Sequence, residues 1–291
     1  MYKKLERNDF CWCGSGKKYK MCHFNLDERI RLYKMKGCIV PNRRIIKSST
    51  QIDGIRESGK VNIEILDYIT EHIDVGMSTN EIDRLIYNKT IELGGVPATL
   101  GYEGFPKSVC TSINNEVCHG IPSDKVILKD GDILNVDVST IVKGYFSDSS
   151  RMYCLGAVSS ERKRLVDVTR QAIYIGLEYA KAWNFLGDIG QAIKDFAGSN
   201  GYSVVKEIGG HGVGIEFHEE PFVSYVSKRG TEMLLVPGMV FTIEPMINVG
   251  KADVVIEDEN GWIIRTKDGK DSAQWEVTVL ITENGYEILA Y

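Results

Sequence analysis

Apolar positions along the chain follow a helical repeat, then strict alternation, and then run through the same cycle again. Ile52, Ile55, Ile63, Leu66 and Ile69 share one side of a helix predicted over 49–73. A second helix starts at Ser78, where Ser78-x-x-Glu81 has the form of a capping box, and stops at Gly94-Gly95. Alternating segments at 132–140 and 145–155 read as strands. Helices return at 160–182, after Ser159-Ser160, and at 188–199, with Asp188 as N-cap and Gly201 past the end. Strands follow near 202–208, 239–245, 262–265 and 273–282. Two helices and then strands, twice over, predict an α/β (α+β) body with a duplicated architecture and a site between its halves. Ahead of it, Leu26, Ile30 and Tyr33 at i, i+4, i+7 predict one short amphipathic helix in a surface bridge over 24–44. Gly37 stops that helix, and Pro41 keeps the chain before it extended.

Polar residues placed inside these strands carry the first chemical signal. If the 132–155 pair turns at Val142-Lys143, Asp137 stands directly opposite Asp148, with the carboxylates about 5 Å apart on one face. A turn at Lys143-Gly144 needs a bulge to restore that register. Two facing carboxylates repel, and a metal ion is the natural countercharge. Glu244 ends Val240-Phe-Thr-Ile-Glu244-Pro245, and Glu276 lies in Ala273-Gln-Trp-Glu276-Val-Thr-Val279. Alternation sets Glu276 on one face with Gln274 and Thr278, and Trp275, Val277 and Val279 on the other. Buried acids without partners cost several kcal/mol, so these read as ligands or ion pairs.

The histidines add donors. His211 and His218 lie in Gly209-Gly-His211-Gly-Val-Gly-Ile-Glu-Phe-His218-Glu-Glu-Pro221, a segment with no G-x-G-x-x-G register. His119 sits in Val117-Cys118-His119-Gly120-Ile121-Pro122, a short loop, and His72 near a helix end reads as solvated. Asp, Asp, His, Glu and Glu form a hard-donor mixture suited to Mn²⁺, Fe²⁺ or Co²⁺. Such a set can hold two divalent ions about 3.5–4 Å apart.

Composition changes the picture mainly at the N-terminus. The 291 residues are 43% hydrophobic and 26% charged, with 29 Gly and 7 Pro, which excludes disordered, collagen-like and disulfide-scaffold classes. No run approaches the roughly 18 apolar residues of a membrane span, and the first 25 residues lack the apolar core of a signal peptide. A soluble cytoplasmic protein, monomeric and without a membrane partner, is expected. The net charge of -5 hides an asymmetry: residues 1–47 hold 13 of the 35 Lys+Arg and only 4 of the 40 Asp+Glu. A basic segment on an acidic body points to two modules with different partners. Seven cysteines, an odd number, argue for reduced thiols. Three of them crowd into Cys11-Trp-Cys13-Gly-Ser-Gly-Lys-Lys-Tyr-Lys-Met-Cys22-His23. Cys11, Cys13, Cys22 and His23 make a closed tetrahedral set for structural zinc, and metal binding must fold so short a segment.

Taken together, Asn115-Glu-Val-Cys-His119-Gly-Ile-Pro, Asn135-Val-Asp137, Asp148, Gly210-His211-Gly-Val-Gly, Phe217-His218-Glu-Glu-Pro, Phe241-Thr-Ile-Glu244-Pro and Gln274-Trp-Glu276 resemble the type I methionine aminopeptidases of family M24. The Cys11–His23 segment resembles the SEC-C zinc motif. The resemblance implies a pita-bread fold, with pseudo-twofold duplicated helices around a curved antiparallel sheet. It divides the chain into a zinc module over 1–24, a basic linker over 25–44 and a catalytic domain over 45–291. It implies Asp137, Asp148, His211, Glu244 and Glu276 as ligands of two divalent ions, with Asp148 and Glu276 bridging. His218 would contact the scissile carbonyl, His119 the substrate amide, and Glu244 would shuttle the proton. Tyr102, Phe105, Cys110 and Trp262 match the family's methionine pocket, and a short second-residue pocket favours Met-Ala or Met-Gly starts. Glu103 and Phe105 replace the His and Tyr of a well-known bacterial relative, and Trp275 replaces a usual Tyr. Only 26 residues separate His218 from Glu244, too few for the helical insertion of type II enzymes. The rival readings are an X-Pro aminopeptidase or prolidase on the same fold, and a non-catalytic binding protein. Nascent-chain N-termini are the expected substrates, and the basic module is expected to dock on the ribosome through phosphate attraction.

Overall fold

The computed structural model describes residues 5–257 and 259–291; the first four residues of the expected 1–24 module lie outside it. Among the described residues there are five α-helices: α1 (Phe24–Met35), α2 (Ser49–His72), α3 (Thr79–Glu92), α4 (Ser160–Leu177) and α5 (Leu186–Ser199). The order of two helices followed by antiparallel strands occurs twice, as the hydrophobic pattern predicts.

In the first half, the hairpin Ile133–Val142 and Tyr145–Cys154 is extended by Val96–Pro97 and Cys110–Ile113. Helices α2 and α3 cover it, burying Ile65, Leu66, Ile69, Ile82 and Ile86 against Leu134, Val136 and Val138. Both helices begin with complete capping boxes, Ser48 with Gln51 and Ser78 with Glu81. The buried face of α2 differs slightly from expectation: Ile65 is buried and Ile63 only half-buried. The face is tilted because it carries polar residues that serve the sheet. Ser58 donates to the Thr140 carbonyl at 2.9 Å, and Asn62 donates to the Val138 carbonyl while accepting from Ser149. Gly59 lets α2 lie against the last strand, since a Cβ there would stand 2.0 Å from the Leu289 carbonyl oxygen.

The second half places α4 and α5 on a core with Phe241, Ile243, Val277, Val279 and Ile281. Its five-stranded sheet runs Gly285–Ala290, Val277–Thr282, Val240–Ile243, Gly210–Gly212, Glu219–Val223, with every pair antiparallel. The expected strand 239–245 is Val240–Ile243, followed by a further strand Met246–Asn248, and the expected 273–282 is broken after Gln274; Met246–Asn248 and Ser272–Gln274 form a separate small sheet with Ser203–Val204. Two boundaries also move. Helix α4 ends at Leu177, and α5 starts at Leu186, so Asp188 is the third helical residue. Its Oδ2 accepts the Phe185 N–H at 2.8 Å and its Oδ1 the Gly230 N–H at 2.8 Å.

The segment 24–40 is fixed to this body. In α1, Ile30 is buried in the core of the second half, with Leu26 and Tyr33 packed beside it. Tyr33 stacks on Trp183 at 5.9 Å, Arg29 covers the other ring contact of Trp183 at 3.7 Å, and Leu234 donates its N–H to Ile39 at 2.9 Å. The bridge is therefore a packed strap; the apolar stripe seen in the sequence finds a partner in the core.

Candidate metal centre and cleft

The hairpin register sets the first two ligands. The turn is at Lys143-Gly144, both with positive φ (50° and 83°), and Val142 pairs with Tyr145. Two left-handed central residues give the turn whose twist matches the strands. No bulge follows. Asp137 pairs with Ser150, and Asp148 pairs with Ser139, so the two acids are diagonal neighbours rather than directly opposite. This corrects the register expected from a turn at Val142-Lys143. Pairs separated by two positions still share a face, and long polar side chains reach across it.

The second half supplies His211, Glu244 and Glu276. The His211 Nδ1 faces the Gly212 carbonyl oxygen at 3.0 Å, which fixes the proton there and leaves the Nε2 lone pair free. That Nε2 lies 3.7 Å from Asp148 Oδ2 and 3.7 Å from Glu244 Oε1. Two donors about 2.1 Å from one ion can be at most about 4.2 Å apart, so these separations fit a shared cation. Ligand atoms of Asp148, His211 and Glu276 all lie within 4.8 Å of one another. Asp148, Glu244 and Glu276 are buried and Asp137 half-buried. Among the described residues no lysine or arginine forms an ion pair with any of the four; the pairs recorded for Asp148 and Glu244 are with His211.

Burial pushes the Asp137 carboxyl up to about 7 and that of Glu244 up to about 8. It drives Asp148 and Glu276 well above the usual carboxylate range, with neighbouring acids adding to the effect. Desolvation also lowers His211 to about 3. A pocket that so disfavours bare carboxylates at neutral pH holds either protons or cations, and the neutral imidazole aimed into it selects the cation.

Side chains that position the ligands were not singled out as such from the sequence. Ser139 donates to Asp148 Oδ1 at 2.8 Å, Thr242 to Glu244 Oε1 at 2.7 Å, and Gln274 to Glu244 Oε2 at 3.1 Å. Asn135 donates to Ser150 and to the Gln274 carbonyl, tying the hairpin to the second half. Ser150 and Glu276 exchange backbone hydrogen bonds at 3.3 and 3.2 Å. The signal that could have found them is the period of two: Asn135-x-Asp137-x-Ser139, Thr242-x-Glu244 and Gln274-x-Glu276-x-Thr278 each put a helper beside a ligand.

One cavity of about 1060 Å³ is lined by all five acid and histidine candidates, together with Tyr102, Phe105, Cys110, His119, His218 and Trp262. Phe105 meets Trp262 edge-on at 5.2 Å, and His119 faces the same indole at 6.1 Å. Tyr102 packs against Phe217 at 4.8 Å and His218 at 5.0 Å; Phe217 is a wall residue the sequence reading left out. Cys110 is the strand partner of Asp137, and burial pushes its thiol well above the ordinary value. It is an apolar wall, not a nucleophile. Burial lowers His119 to about 4, so its ring is neutral at pH 7.

The thiol cluster forms as expected. Cys11 and Cys22 Sγ each lie 3.2 Å from His23 Nδ1, and Cys13 and Cys22 Sγ are 3.6 Å apart. A zinc tetrahedron with bonds near 2.3 Å has edges of roughly 3.8 Å, so three thiols and a ring nitrogen at these spacings fit that ion. Trp12 packs on the His23 ring at 4.4 Å.

Comparison with known proteins agrees with this chemistry. The metallopeptidase family M24 profile matches residues 53–283, and the SEC-C motif matches residues 7–25. The chain is 43% identical to a methionine aminopeptidase of Chlamydia muridarum over 98% of each sequence. It superposes on the crystal structure of methionine aminopeptidase from Rickettsia prowazekii with a TM-score of 0.83, at 43% identity, covering 84% of this chain and 99% of that one. The Thermotoga maritima methionine aminopeptidase gives 0.82 at 35% identity, over 84% and 98%. The duplicated halves are those of the pita-bread fold, and divalent-metal binding goes with the family. With hard donors gathered at the junction of two such halves, the chain belongs to metallopeptidase family M24, and within it to the methionine aminopeptidases.

Proposed function

We propose that this chain removes the initiator methionine from nascent proteins whose second residue is small, using two divalent ions held by Asp137, Asp148, His211, Glu244 and Glu276. Asp148 and Glu276 would contribute to holding both ions. The observation that carries this reading is the cluster of four carboxylates, without a lysine or arginine partner among the described residues, facing a neutral His211 in an aromatic-walled cavity. Divalent ions in such a set lower the pKa of water from 15.7 to about 7 and polarise carbonyl oxygen. Mn²⁺, Fe²⁺ and Co²⁺ suit these donors.

The chain's own groups do the rest. Glu244, held at both oxygens by Thr242 and Gln274, takes the proton from the attacking water and passes it to the leaving amine. His218, 4.2 Å from the His211 ring, contacts the scissile carbonyl, and the neutral His119 contacts the amide. Tyr102, Phe105, Cys110 and Trp262 enclose the methionine side chain, whose flexible thioether suits an irregular aromatic wall. Cys11, Cys13, Cys22 and His23 hold one structural zinc in the module preceding the 25–44 linker and the 45–291 catalytic domain. Its basic surface, Lys17, Lys18 and Lys20, docks on the ribosome, and co-sedimentation should weaken as salt rises. Seven free thiols support a cytoplasmic location.

Hydrolysis of Met-Ala-Ser and of Ala-Pro peptides by metal-stripped protein, titrated with Mn²⁺, Fe²⁺ and Co²⁺, tests the reading. Metal-dependent release of methionine alone is expected. Turnover of Ala-Pro peptides, or silence on Met-Ala-Ser, overturns it.

A further inference from the structure

The cavity that contains the metal cluster does not end at the catalytic body. Trp12 and Cys13 of the thiol module and Asn42, Arg43 and Arg44 of the strap line it as well. These residues are held in place. Asp27 Oδ2 accepts from Trp12 Nε1 at 3.1 Å, from the Tyr19 hydroxyl at 2.5 Å and from Arg43 Nη2 at 2.6 Å. Asn42 donates to Glu220 Oε2 at 3.1 Å, closing the strap onto the far wall, and Lys47 beyond it forms a buried ion pair with Glu219. Cavities for drug-sized ligands span roughly 300–1000 Å³. At about 1060 Å³ this one has room for more than a methionine and a small second residue.

We propose that Trp12, Asn42, Arg43 and Arg44 form a binding subsite for the substrate chain beyond its second residue, selecting acidic side chains there. The inference rests on the peptidase reading above. A chain whose first amide lies at the metal cluster has to leave through the mouth of the same cavity, gaining about 3.3 Å per extended residue. Arg43 is committed to Asp27 and lies over Trp12 and Tyr19. Glu103, Glu207, Glu216, Glu219 and Glu220 line the same cavity, Glu219 being paired with Lys47, so the one place there for a substrate carboxylate is at Arg44, which is exposed and forms no ion pair among the described residues. Trp12, half-buried with the His23 ring and Arg43 against it, lines the same cavity as a fixed part of this wall. The thiol module thereby becomes a wall of the substrate cleft as well as a separate zinc-binding segment.

The test compares Met-Ala-Ser with Met-Ala-Ser-Asp-Glu-Ser and Met-Ala-Ser-Lys-Lys-Ser, using full-length metal-loaded protein and its Arg44→Glu variant. Arg44 is exposed, so the variant keeps the fold. The ratio of kcat/KM for the acidic hexapeptide to that for Met-Ala-Ser should fall about tenfold, in KM, while the ratio for the lysine peptide rises. Calorimetric binding of the acidic hexapeptide with its first amide reduced should weaken in parallel, independently of turnover. No turnover of Met-Ala-Ser by the unaltered chain overturns the peptidase reading and this subsite with it. Turnover of Met-Ala-Ser with unmoved ratios overturns the subsite alone.

Discussion

At the residue scale, the candidate centre is defined by what its acids lack. Asp148 and Glu276 have no Lys or Arg partner among the described residues, so on the proposed reading an isosteric amide would keep the shape and remove the charge that would hold the ions. Asp148→Asn or Glu276→Gln should lower turnover of Met-Ala-Ser at limiting metal by at least about a hundredfold, with metal content read in parallel. Native-like rates in either variant would contradict a dinuclear centre. The titration of the cluster has its own signature. Asp137 and Glu244 have pKa values raised to about 7 and about 8 by burial, so the unfolded chain releases these protons more readily than the folded one. Stability of the metal-free protein therefore falls as pH rises through those values. The lowered histidines act in the opposite sense, but below their unfolded pKa near 6.5. Between pH 7 and 8.5 the acids and the buried thiols Cys110 and Cys118, which burial also pushes up, act in the same direction, and the thermal midpoint of metal-free protein should drop by a few degrees. Added Mn²⁺ should raise that midpoint more at pH 8.5 than at pH 7.

At the element scale, the packing of α2 against the sheet is the tightest constraint outside the centre. Gly59→Ala would drive a methyl group into the Leu289 carbonyl, and the backbone cannot give way locally without moving the last strand. A loss of about 2–3 kcal/mol is expected in urea unfolding, larger than for a change at an exposed helix position. The same scale shows what sequence can and cannot tell. The helix start at Thr79 was legible because the Ser78–Glu81 capping box is local chemistry; the equivalent Ser48–Gln51 box was not read, and the 49–73 helix was legible from its apolar stripe. That the five candidates would gather in one cavity was legible because acids and histidine inside apolar strands have few other reasons to be there. The hairpin register was not, since Val142-Lys143 and Lys143-Gly144 differ by one position and only the left-handed pair of φ angles decides between them. Asp188 reads as a cap from its type, yet its second oxygen is committed to Gly230, 42 positions away. The period of two marks Ser139, Thr242 and Asn135, yet Ser139 and Asn135 find their partners, Asp148, Ser150 and Gln274, across strands, which no single stretch of sequence displays.

At the scale of the whole molecule, the N-terminal module packs on the body as its smallest part. The module buries few apolar side chains, Cys11 and Tyr19 among them, so on the reading proposed above its order is expected to depend on a metal in the thiol cluster as well as on Asp27. Removing zinc with a strong chelator should open trypsin sites at Lys17, Lys18 and Lys20 first, leaving the 53–283 region resistant for much longer. Mass spectrometry of the early fragments would check this; equal cleavage rates with and without zinc would show that the module folds by itself.

The pair of backbone hydrogen bonds between Ser150 and Glu276 bears on how the molecule moves. These amides join the two halves beside the ligands, so any hinge opening between the halves would break them and scatter the ligand set at once. Substrate and product must then pass through the mouth of the cleft while the floor stays shut. The Ser150 and Glu276 amide protons belong among the slowest to exchange with solvent, at the rate of global unfolding.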